Sequence, residues 1–404
     1  MNIIILDTGK EWGGGTNSLL ELLKRIDRDK FGFQVLFYNN YTQGKSSDIK
    51  TEIEKLGIEF LLLPQEKQSI AVKILKEVLR TLFFFSKEFS KRAIFFIDRR
   101  TRIMNNAKRI AAILKERKID LLYMNNQPSS NLEGIIASKM TGVPAIQHSR
   151  IETELNSFEV KAANQGLSKI ICVSQGVMDT LVERGVESAK CVVAYNGISS
   201  ETVTRRSPDE IKSEWGIPEG DLLIGTVGSL IRRKRIRDLI EAIGMIEEKT
   251  GCSVKCLIVG EGPERENLVE LAEKSGLGNR VIFTGFQSDA ISYINAMDIF
   301  VMPSEKEGFP RVVLEAMLMR KPVVAARIRG TEELVVDNET GIMYKKGAVK
   351  DLAGCLMKLL SSPSFMEDMG KAGKERVVES FSIEEYVNNV QKVFSEVLEG
   401  NNVR

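Results

Sequence analysis

Histidine and cysteine are scarce in this chain, and their scarcity limits the kinds of site it can hold. One of the 404 residues is histidine, His148, which excludes a metal centre built on several histidines. The five cysteines are odd in number and scattered, which indicates no disulfide framework and fits a reducing compartment. They are Cys172, Cys191, Cys252, Cys256 and Cys355. We expect Cys252 and Cys256 to be strand residues, and we predict no metal and no cofactor.

Three further absences narrow the class of protein. No stretch approaches the roughly 20 apolar residues that a spanning helix needs. The N-terminus, Met-Asn-Ile-Ile-Ile-Leu-Asp, lacks the positive region of a signal peptide, so a cytoplasmic protein is expected. The chain also lacks the Gly-x-Gly-x-x-Gly fingerprint of nicotinamide enzymes, which disfavours a dehydrogenase.

What is present is typical of a globular α/β protein with more than one domain. Charged residues make up 28% and hydrophobic residues 43% of the chain, and the formal net charge is +2. Short apolar runs alternate with helical patterns in both halves of the chain, which predicts two doubly wound domains. A capping box at Ser207-Pro208-Asp209-Glu210 opens the helix that follows the junction. We place the domains at 1–198 and 199–381, followed by a terminal helix at 382–404.

The stretch from Met302 to Met319 concentrates the residues that indicate chemistry. An apolar run predicts a buried strand before it, and we expect a helix beginning at Pro310. Glu307 then lies in the loop at the carboxyl end of the strand, where open α/β sheets bind ligands, and Glu315 lies in the helix. Carboxylates repel phosphate but accept hydrogen bonds from sugar and ribose hydroxyls.

This stretch resembles the retaining glycosyltransferases of the GT-B fold, family 4. The likeness rests on a Glu-x7-Glu spacing, with Gly308-Phe309-Pro310 after Glu307 and Ala-Met after Glu315. The resemblance implies two Rossmann-like domains facing across a cleft, with the terminal helix crossing back onto the first domain. It also implies that Glu307 contacts the donor sugar, that Glu315 contacts the nucleotide ribose, and that Gly308, Phe309 and Pro310 belong to the donor site.

A cationic loop follows the first strand of the second domain. It ends in Arg232-Arg233-Lys234, and cations at the carboxyl end of a strand suit a pyrophosphate. A merely solvated loop is disfavoured, because cations at a helix start oppose the helix dipole unless an anion binds. In relatives an arginine stands where this chain has Ser229, while Lys234 matches. Either Arg232 or Arg233 is expected to substitute for the missing arginine.

Three further donor contacts are expected elsewhere in the chain. Gly14 and Gly15, in a glycine loop after the first strand, suit a close approach of backbone to the donor. A purely structural turn is the alternative for this loop. His148 ends a predicted strand, and the family carries a histidine near the donor sugar at the corresponding strand end. Phe286 follows a strand whose Gly-Phe end lies near the nucleotide base in relatives.

A basic and aromatic segment, residues 73–118, interrupts the first domain. It holds 14 lysines and arginines against 4 acidic residues, so it carries +10 and the remainder of the chain −8. It also holds six of the 18 phenylalanines. Cations beside aromatics favour docking in an anionic membrane interface. A solvated helix pair with a phenylalanine core is the alternative, and nucleic acid is disfavoured because no binding module accompanies the segment.

The residues and the resemblance together predict a metal-independent enzyme that transfers a sugar from a nucleotide-diphosphate sugar, expected to be a UDP-sugar, with retention of configuration. Lys234, Glu307 and His148 are the predicted catalytic residues. The expected acceptor is a saccharide or lipid-linked saccharide of bacterial surface polysaccharide or lipopolysaccharide assembly, at the inner face of the cell membrane. Two alternatives stay open. One is a sugar-nucleotide epimerase of the same fold, for which one histidine is too few, and the other is a non-catalytic nucleotide-sugar-binding or scaffold protein.

Overall fold

Short apolar runs form the strands of two separate parallel sheets, one in each half of the chain. The structure, a computed structural model, describes residues 1–7, 12–43, 47–66, 68–250 and 254–402. Cys252 and residues 403–404 lie outside these ranges. Strands covered by helices on both faces bury both of their faces, which is why they read as continuous apolar runs rather than as alternating ones.

The first sheet has seven parallel strands in the order β5-β2-β1-β6-β7-β8-β9. The strands of this half are β1 (Asn2–Asp7), β2 (Gly32–Phe37), β3 (Thr42–Gln43), β4 (Ser47–Asp48), β5 (Glu59–Leu62), β6 (Leu121–Asn125), β7 (Ala145–Ser149), β8 (Lys169–Cys172) and β9 (Cys191–Val193). The helices are α1 (Gly14–Arg25), α2 (Ile49–Lys55), α3 (Ile70–Leu82), α4 (Lys87–Asp98), α5 (Met104–Glu116), α6 (Leu132–Thr141), α7 (Ser157–Gly166) and α8 (Gln175–Glu183). The strand order reverses between β1 and β6, and such a reversal opens a crevice at the carboxyl ends of the strands.

The second sheet has six parallel strands in the order β12-β11-β10-β13-β14-β15, and its order reverses between β10 and β13. The strands are β10 (Leu222–Val227), β11 (Val254–Val259), β12 (Val281–Gly285), β13 (Ile299–Met302), β14 (Val323–Ala326) and β15 (Gly341–Tyr344). The helices are α9 (Pro208–Glu214), α10 (Ile236–Thr250), α11 (Arg265–Lys274), α12 (Ala290–Ala296), α13 (Arg311–Leu318), α14 (Arg329–Glu332), α15 (Val349–Leu360), α16 (Pro363–Ser380) and α17 (Ile383–Asn402). The prediction of two doubly wound α/β domains is confirmed.

The last helix, α17, packs against the first domain. Tyr386 and Phe394 on α17 belong to the same buried cluster as Ile3 of β1 and Leu19 of α1. The chain enters α17 next to Gly197, where an added Cβ would lie 2.3 Å from the carbonyl oxygen of Ser382. A side chain at position 197 would therefore separate the two chain segments at this crossing.

Helices α3 and α4, residues 70–98, form a projection that we call the apolar hairpin. Fifteen large hydrophobic side chains are exposed in the described ranges, and nine of them lie on this hairpin. They are Ile70, Ile74, Leu75, Val78, Leu82, Phe84, Phe85, Phe89 and Phe96. The five on α3 follow helical spacing and so form one uncovered stripe. No helix in the described ranges is long and apolar enough to cross a membrane.

Candidate active site

A cavity of about 740 Å³, here called the cleft, lies between the two domains. Its first-domain wall contains the start of α1 and Arg150, which follows β7. Its second-domain wall contains Lys234, after β10, and Glu307, after β13. Both walls are therefore built from loops at the carboxyl ends of parallel strands, and the loops after β1, β10 and β13 flank the places where the strand orders reverse.

Lys234 and Glu307 meet across the crevice between β10 and β13. Lys234 ends the 3₁₀ turn Arg232–Lys234, and its Nζ lies 2.8 Å from Glu307 Oε1. The Arg233 guanidinium lies 3.1 Å from the same oxygen. Burial alone would raise the pKa of the Glu307 carboxyl, but the charges of Lys234 and Arg233 outweigh burial and hold this pKa below its ordinary value. The carboxyl of Glu307 is thus ionised, with two cations gathered around it.

This cluster has one more positive charge than negative charge. A diphosphate that enters the cleft can replace the carboxylate as the partner of both cations, because phosphate oxygens accept charge-assisted hydrogen bonds from lysine and arginine. The carboxylate of Glu307 would then be free to accept hydrogen bonds from sugar hydroxyls.

Gly308 determines how closely the two walls approach. A Cβ at this position would lie 2.1 Å from the carbonyl oxygen of Arg150 and 3.0 Å from Cα of Ile151. Both of these atoms belong to the backbone of the first domain and cannot turn aside. Only glycine therefore allows the loop after β13 to touch the loop after β7.

The first-domain wall places a helix start beside the cationic loop. Gly14 and Gly15 form the first residues of α1, and no side chain in the described ranges caps this helix start. The first turn also carries no acidic residue. Backbone N–H groups at such a start have no partner within the helix, and they favour anions.

Arg150 extends beside this helix start and also lines the cleft. Its Nε donates to Asn125 Oδ1 at 2.8 Å, its Nη1 to Asn196 Oδ1 at 3.0 Å, and its Nη2 to the Tyr386 hydroxyl at 3.2 Å. No carboxylate in the described ranges forms an ion pair with it, although Asn125 also donates to Asp7 at 2.7 Å. Neutral side chains thus hold a cation in place at the wall.

The structure does not bring His148 into the cleft. Its side chain is fully buried, and Nδ1 lies 2.5 Å from the Tyr123 hydroxyl on the face of the sheet that α17 covers. Burial, together with the charge of Arg150, lowers the pKa of the imidazole well below its ordinary value. His148 is therefore buried and does not line the cleft, although the sequence-based expectation placed it near the donor sugar.

Of the two arginines expected to serve the diphosphate, the structure places only Arg233 in the cleft. The Arg232 side chain is 90% exposed and lies 3.3 Å from Glu264. Arg233 donates to the backbone carbonyl of Lys306 as well as approaching Glu307. A 3₁₀ turn has three residues per turn, so adjacent side chains leave it in different directions.

Two other predicted contacts lie away from the cleft. Phe286 is 41% exposed at the end of β12. Glu315 lies in the second turn of α13, 3.9 Å from Arg311, and burial raises the pKa of its carboxyl. Helix α13 begins at Arg311, one residue later than predicted, with Pro310 in the preceding cap position.

Eight of the twelve predicted site residues line the cleft. They are Gly14, Gly15, Arg233, Lys234, Glu307, Gly308, Phe309 and Pro310. His148, Arg232, Phe286 and Glu315 do not. Sequence reasoning missed Arg150 and Asn196; the nearest signal was the position of Arg150 just after a predicted strand. No group of three or more histidine, cysteine, aspartate and glutamate side chains in the described ranges is arranged to hold a metal ion.

Comparison with known proteins identifies the family. A model described as Glycosyltransferase Family 4 matches residues 12–202, and one described as Glycosyl transferases group 1 matches residues 207–376, so the matches span both domains. This chain belongs to the family 4 glycosyltransferases. The predicted family and the predicted enzyme class are therefore confirmed.

Two named enzymes and one crystal structure are similar to this glycosyltransferase over most of its length. It is 24% identical over 305 residues to the N-acetyl-α-D-glucosaminyl L-malate synthase of Bacillus anthracis, covering 72% of this chain and 78% of the relative. It is 28% identical over 288 residues to a capsular polysaccharide biosynthesis glycosyltransferase of Staphylococcus aureus, covering 67% of this chain and 75% of the relative. The Anabaena protein HepE, crystallised in complex with UDP-glucose, superposes with a TM-score of 0.79 at 22% identity, covering 98% of this chain and all of that one. This likeness confirms the predicted GT-B fold.

Proposed function

We propose that this glycosyltransferase moves a sugar from a UDP-sugar, with retention of configuration, onto a saccharide or lipid-linked acceptor in the assembly of bacterial surface polysaccharide. The observation that carries the proposal is the cluster of Lys234, Arg233 and Glu307, which faces Arg150 and the uncapped start of α1 across the cleft. The UDP-glucose complex of the Anabaena protein supports the donor class. The capsular relative in Staphylococcus aureus supports the pathway class.

The positively charged side chains of the cleft bind the diphosphate of the donor. Lys234 and Arg233 bind it from the second domain, and Arg150 with the N–H groups of Gly14 and Gly15 binds it from the first. These groups are positioned before the reaction, so they stabilise the negative charge that develops on the departing diphosphate. Glu307 and the loop through Pro310 orient the sugar, and the departing phosphate accepts the acceptor proton on the same face of the ring. This set of cations makes transfer independent of a metal ion.

Donor screening tests the proposal directly. The enzyme is incubated with UDP-, GDP- and ADP-sugars, with and without a bacterial membrane extract and with and without a chelator, and nucleotide release is measured. We expect UDP release that depends on the membrane extract and persists in chelator. NMR of the product should show the anomeric configuration of the donor sugar. A free epimerised nucleotide sugar would indicate the epimerase alternative. An absence of nucleotide-sugar binding would indicate a scaffold protein.

Substitution of Arg150 and, separately, of His148 tests which of these two first-domain residues acts on the donor. Arg150→Gln is expected to lower UDP release about 100-fold, because one charged donor to the developing anion is removed. His148→Asn is expected to retain activity within about threefold per folded molecule, since the imidazole faces α17, and to lower the melting temperature instead. Initial rates of UDP release and thermal melting curves of both variants measure these two effects. The opposite order of activities would return the catalytic role to His148.

The apolar hairpin supports contact with a membrane. Its exposed apolar stripe is uncovered within the described chain, and the surrounding segment 73–118 carries an excess of ten positive charges. Burial of apolar side chains in the membrane interface makes the free energy of binding more favourable. Each lysine or arginine near an anionic surface contributes about 1 kcal/mol more to that free energy. The enzyme would therefore bind peripherally at the inner, anionic face of the cell membrane, where a lipid-linked acceptor is available.

Flotation with lipid vesicles measures this contact. The wild type is expected to float with vesicles of phosphatidylglycerol and phosphatidylcholine, and much less with phosphatidylcholine alone. Phe84→Ser with Phe85→Ser should lower the bound fraction at least tenfold, because two largely exposed rings are lost. Val203→Ser is the control, since Val203 is 77% exposed but lies outside the hairpin, whereas Phe84 is 80% exposed. Equal flotation of the double variant and the control would contradict membrane docking by the hairpin.

A further inference from the structure

A buried carboxylate stands behind Arg150, at the carboxyl end of β1. It belongs to Asp7, which is 1% exposed and does not line the cleft. Two amide groups donate to it: Asn125 Nδ2 lies 2.7 Å from one carboxylate oxygen, and Asn126 Nδ2 lies 2.6 Å from the other. Burial of a charge is costly unless hydrogen bonds or an opposite charge compensate it. The hydrogen bonds of Asp7 lead, through Asn125, to the cation of Arg150.

Asn125 transmits an orientation from Asp7 to Arg150. A side-chain amide donates from its nitrogen and accepts at its oxygen. The nitrogen of Asn125 donates to Asp7, with a longer contact of 3.5 Å to the carbonyl oxygen of Gly15, so the oxygen faces Arg150 Nε at 2.8 Å. Asn125 is completely buried, which leaves its orientation to these neighbours. Without the carboxylate, the amide could reverse and present N–H groups to the guanidinium.

The other two partners of Arg150 lie where the chain passes between the domains. Asn196 precedes Gly197, and its nitrogen donates to the Phe309 carbonyl of the second-domain wall at 3.1 Å, so its oxygen is turned towards Arg150. Tyr386 lies on α17, which returns to the first domain beside Gly197. The guanidinium is therefore held by the same segments that connect the two domains.

The three groups that touch the guanidinium are neutral, and this matters for an anion in the cleft. A carboxylate placed directly on Arg150 would form an ion pair and compete with a phosphate for the same N–H groups. Amide and hydroxyl oxygens fix the geometry without cancelling the charge. Asp7, separated from Arg150 by the length of Asn125, stabilises the cation from a greater distance, where the attraction between the charges is weaker.

We propose that Asp7 is a positioning residue for sugar transfer. Through Asn125, and together with Tyr386 of α17, it keeps the Arg150 guanidinium oriented towards the donor diphosphate. This inference rests on the proposed function, because it requires Arg150 to act on the donor. Neither Asp7 nor Tyr386 lines the cleft, so the effect of each on transfer passes through Arg150.

A double-mutant cycle with Arg150→Gln separates positioning from a structural role. Asp7→Asn should lower UDP release from a UDP-sugar about 30-fold and Tyr386→Phe about tenfold, because a hydrogen-bonded charge loses its support. In the Arg150→Gln background each substitution should change the rate less than about twofold, since the group that it positions is gone. Tyr344→Phe is the matched control for Tyr386→Phe. Its hydroxyl is also buried but lies on β15 of the second domain, and this variant should keep the wild-type rate.

Rescue by free guanidinium gives a second readout. Arg150→Ala should regain at least tenfold in rate when guanidinium chloride is added at concentrations that leave the circular dichroism spectrum unchanged. Sodium chloride at the same ionic strength should not restore the rate. Addition of Asp7→Asn to Arg150→Ala should abolish the rescue, because the oxygen of Asn125 is then no longer turned towards the vacated site.

Three outcomes would overturn this inference and leave the donor class standing. They are losses that multiply in the double variants, rescue that survives Asp7→Asn, and full activity of Arg150→Gln beside an active wild type. A wild-type enzyme that releases no nucleotide from any of the nucleotide sugars would instead overturn the proposed function, and the positioning role of Asp7 with it.

Discussion

Lys234→Ala is expected to lower sugar transfer about 10³-fold while leaving the fold intact. The ammonium group lies at the carboxyl end of β10 and is the closest cation to Glu307, so it is positioned to neutralise the departing diphosphate. Loss of a fixed charge from a partly dehydrated site acts mainly on the transition state, in which the negative charge is greatest. Donor-dependent UDP release measures the rate, and circular dichroism checks the fold.

Arg232→Ala is the matched control for this change. Arg232 belongs to the same 3₁₀ turn but points to solvent, so its variant should keep transfer within about threefold of the wild type. UDP should also bind at least tenfold more weakly to Lys234→Ala than to this control. If both variants keep near-normal turnover, the cationic loop does not hold the diphosphate.

Glu307→Gln is expected to lower transfer at least 100-fold and yet to leave UDP binding unchanged or tighter. In the free protein the carboxylate competes with the diphosphate for Lys234 and Arg233, and glutamine does not. The amide, however, replaces one of the two carboxylate oxygens by a donor, so the sugar hydroxyls lose an acceptor. Titration calorimetry with UDP and initial rates with UDP-sugar separate the two effects.

Glu305→Gln serves as the comparison for Glu307→Gln, because Glu305 lies in the same loop with an exposed side chain. Its variant should bind UDP and transfer sugar as the wild type does. Weaker UDP binding by Glu307→Gln, with transfer lost in proportion, would show that the carboxylate acts on the nucleotide rather than on the sugar.

The lowered pKa of Glu307 also fixes how its ion cluster depends on pH. Because the folded pKa lies below the ordinary value of 4.5, the cluster stabilises the fold above that pH, and its contribution is lost as the pH falls through the lowered pKa. The difference in unfolding free energy between the wild type and Glu307→Gln should therefore shrink in acid below pH 4.5.

The sequence was sufficient to predict the features that depend on residue composition and on the order of strands and helices along the chain. Alternating apolar runs and helical patterns predicted both sheets, because parallel strands buried on both faces must be continuously apolar. Lys234 and Glu307 were predicted from their places after strands, since the carboxyl ends of parallel strands meet at one edge of the sheet.

The direction of individual side chains could not be predicted in this way. His148 and Arg150 are two residues apart and both contact Tyr386 on α17, as the alternation of side chains along a strand requires. His148 lies inside β7 and is buried, whereas Arg150, one residue past the end of β7, also lines the cleft. The choice between Arg232 and Arg233 depended on a single 3₁₀ turn. The apolar stripe on α3 was readable as helical, but whether another element covers it is decided by tertiary packing.

A crystal structure of the enzyme with UDP tests the central claim most directly. The account predicts the diphosphate in the cleft, with phosphate oxygens within hydrogen-bond distance of Lys234 Nζ and the Arg233 guanidinium and with the Glu307 carboxylate released from Lys234. UDP bound elsewhere, or bound in the cleft with the ion pair of Lys234 and Glu307 intact and no phosphate contact to either cation, would contradict it.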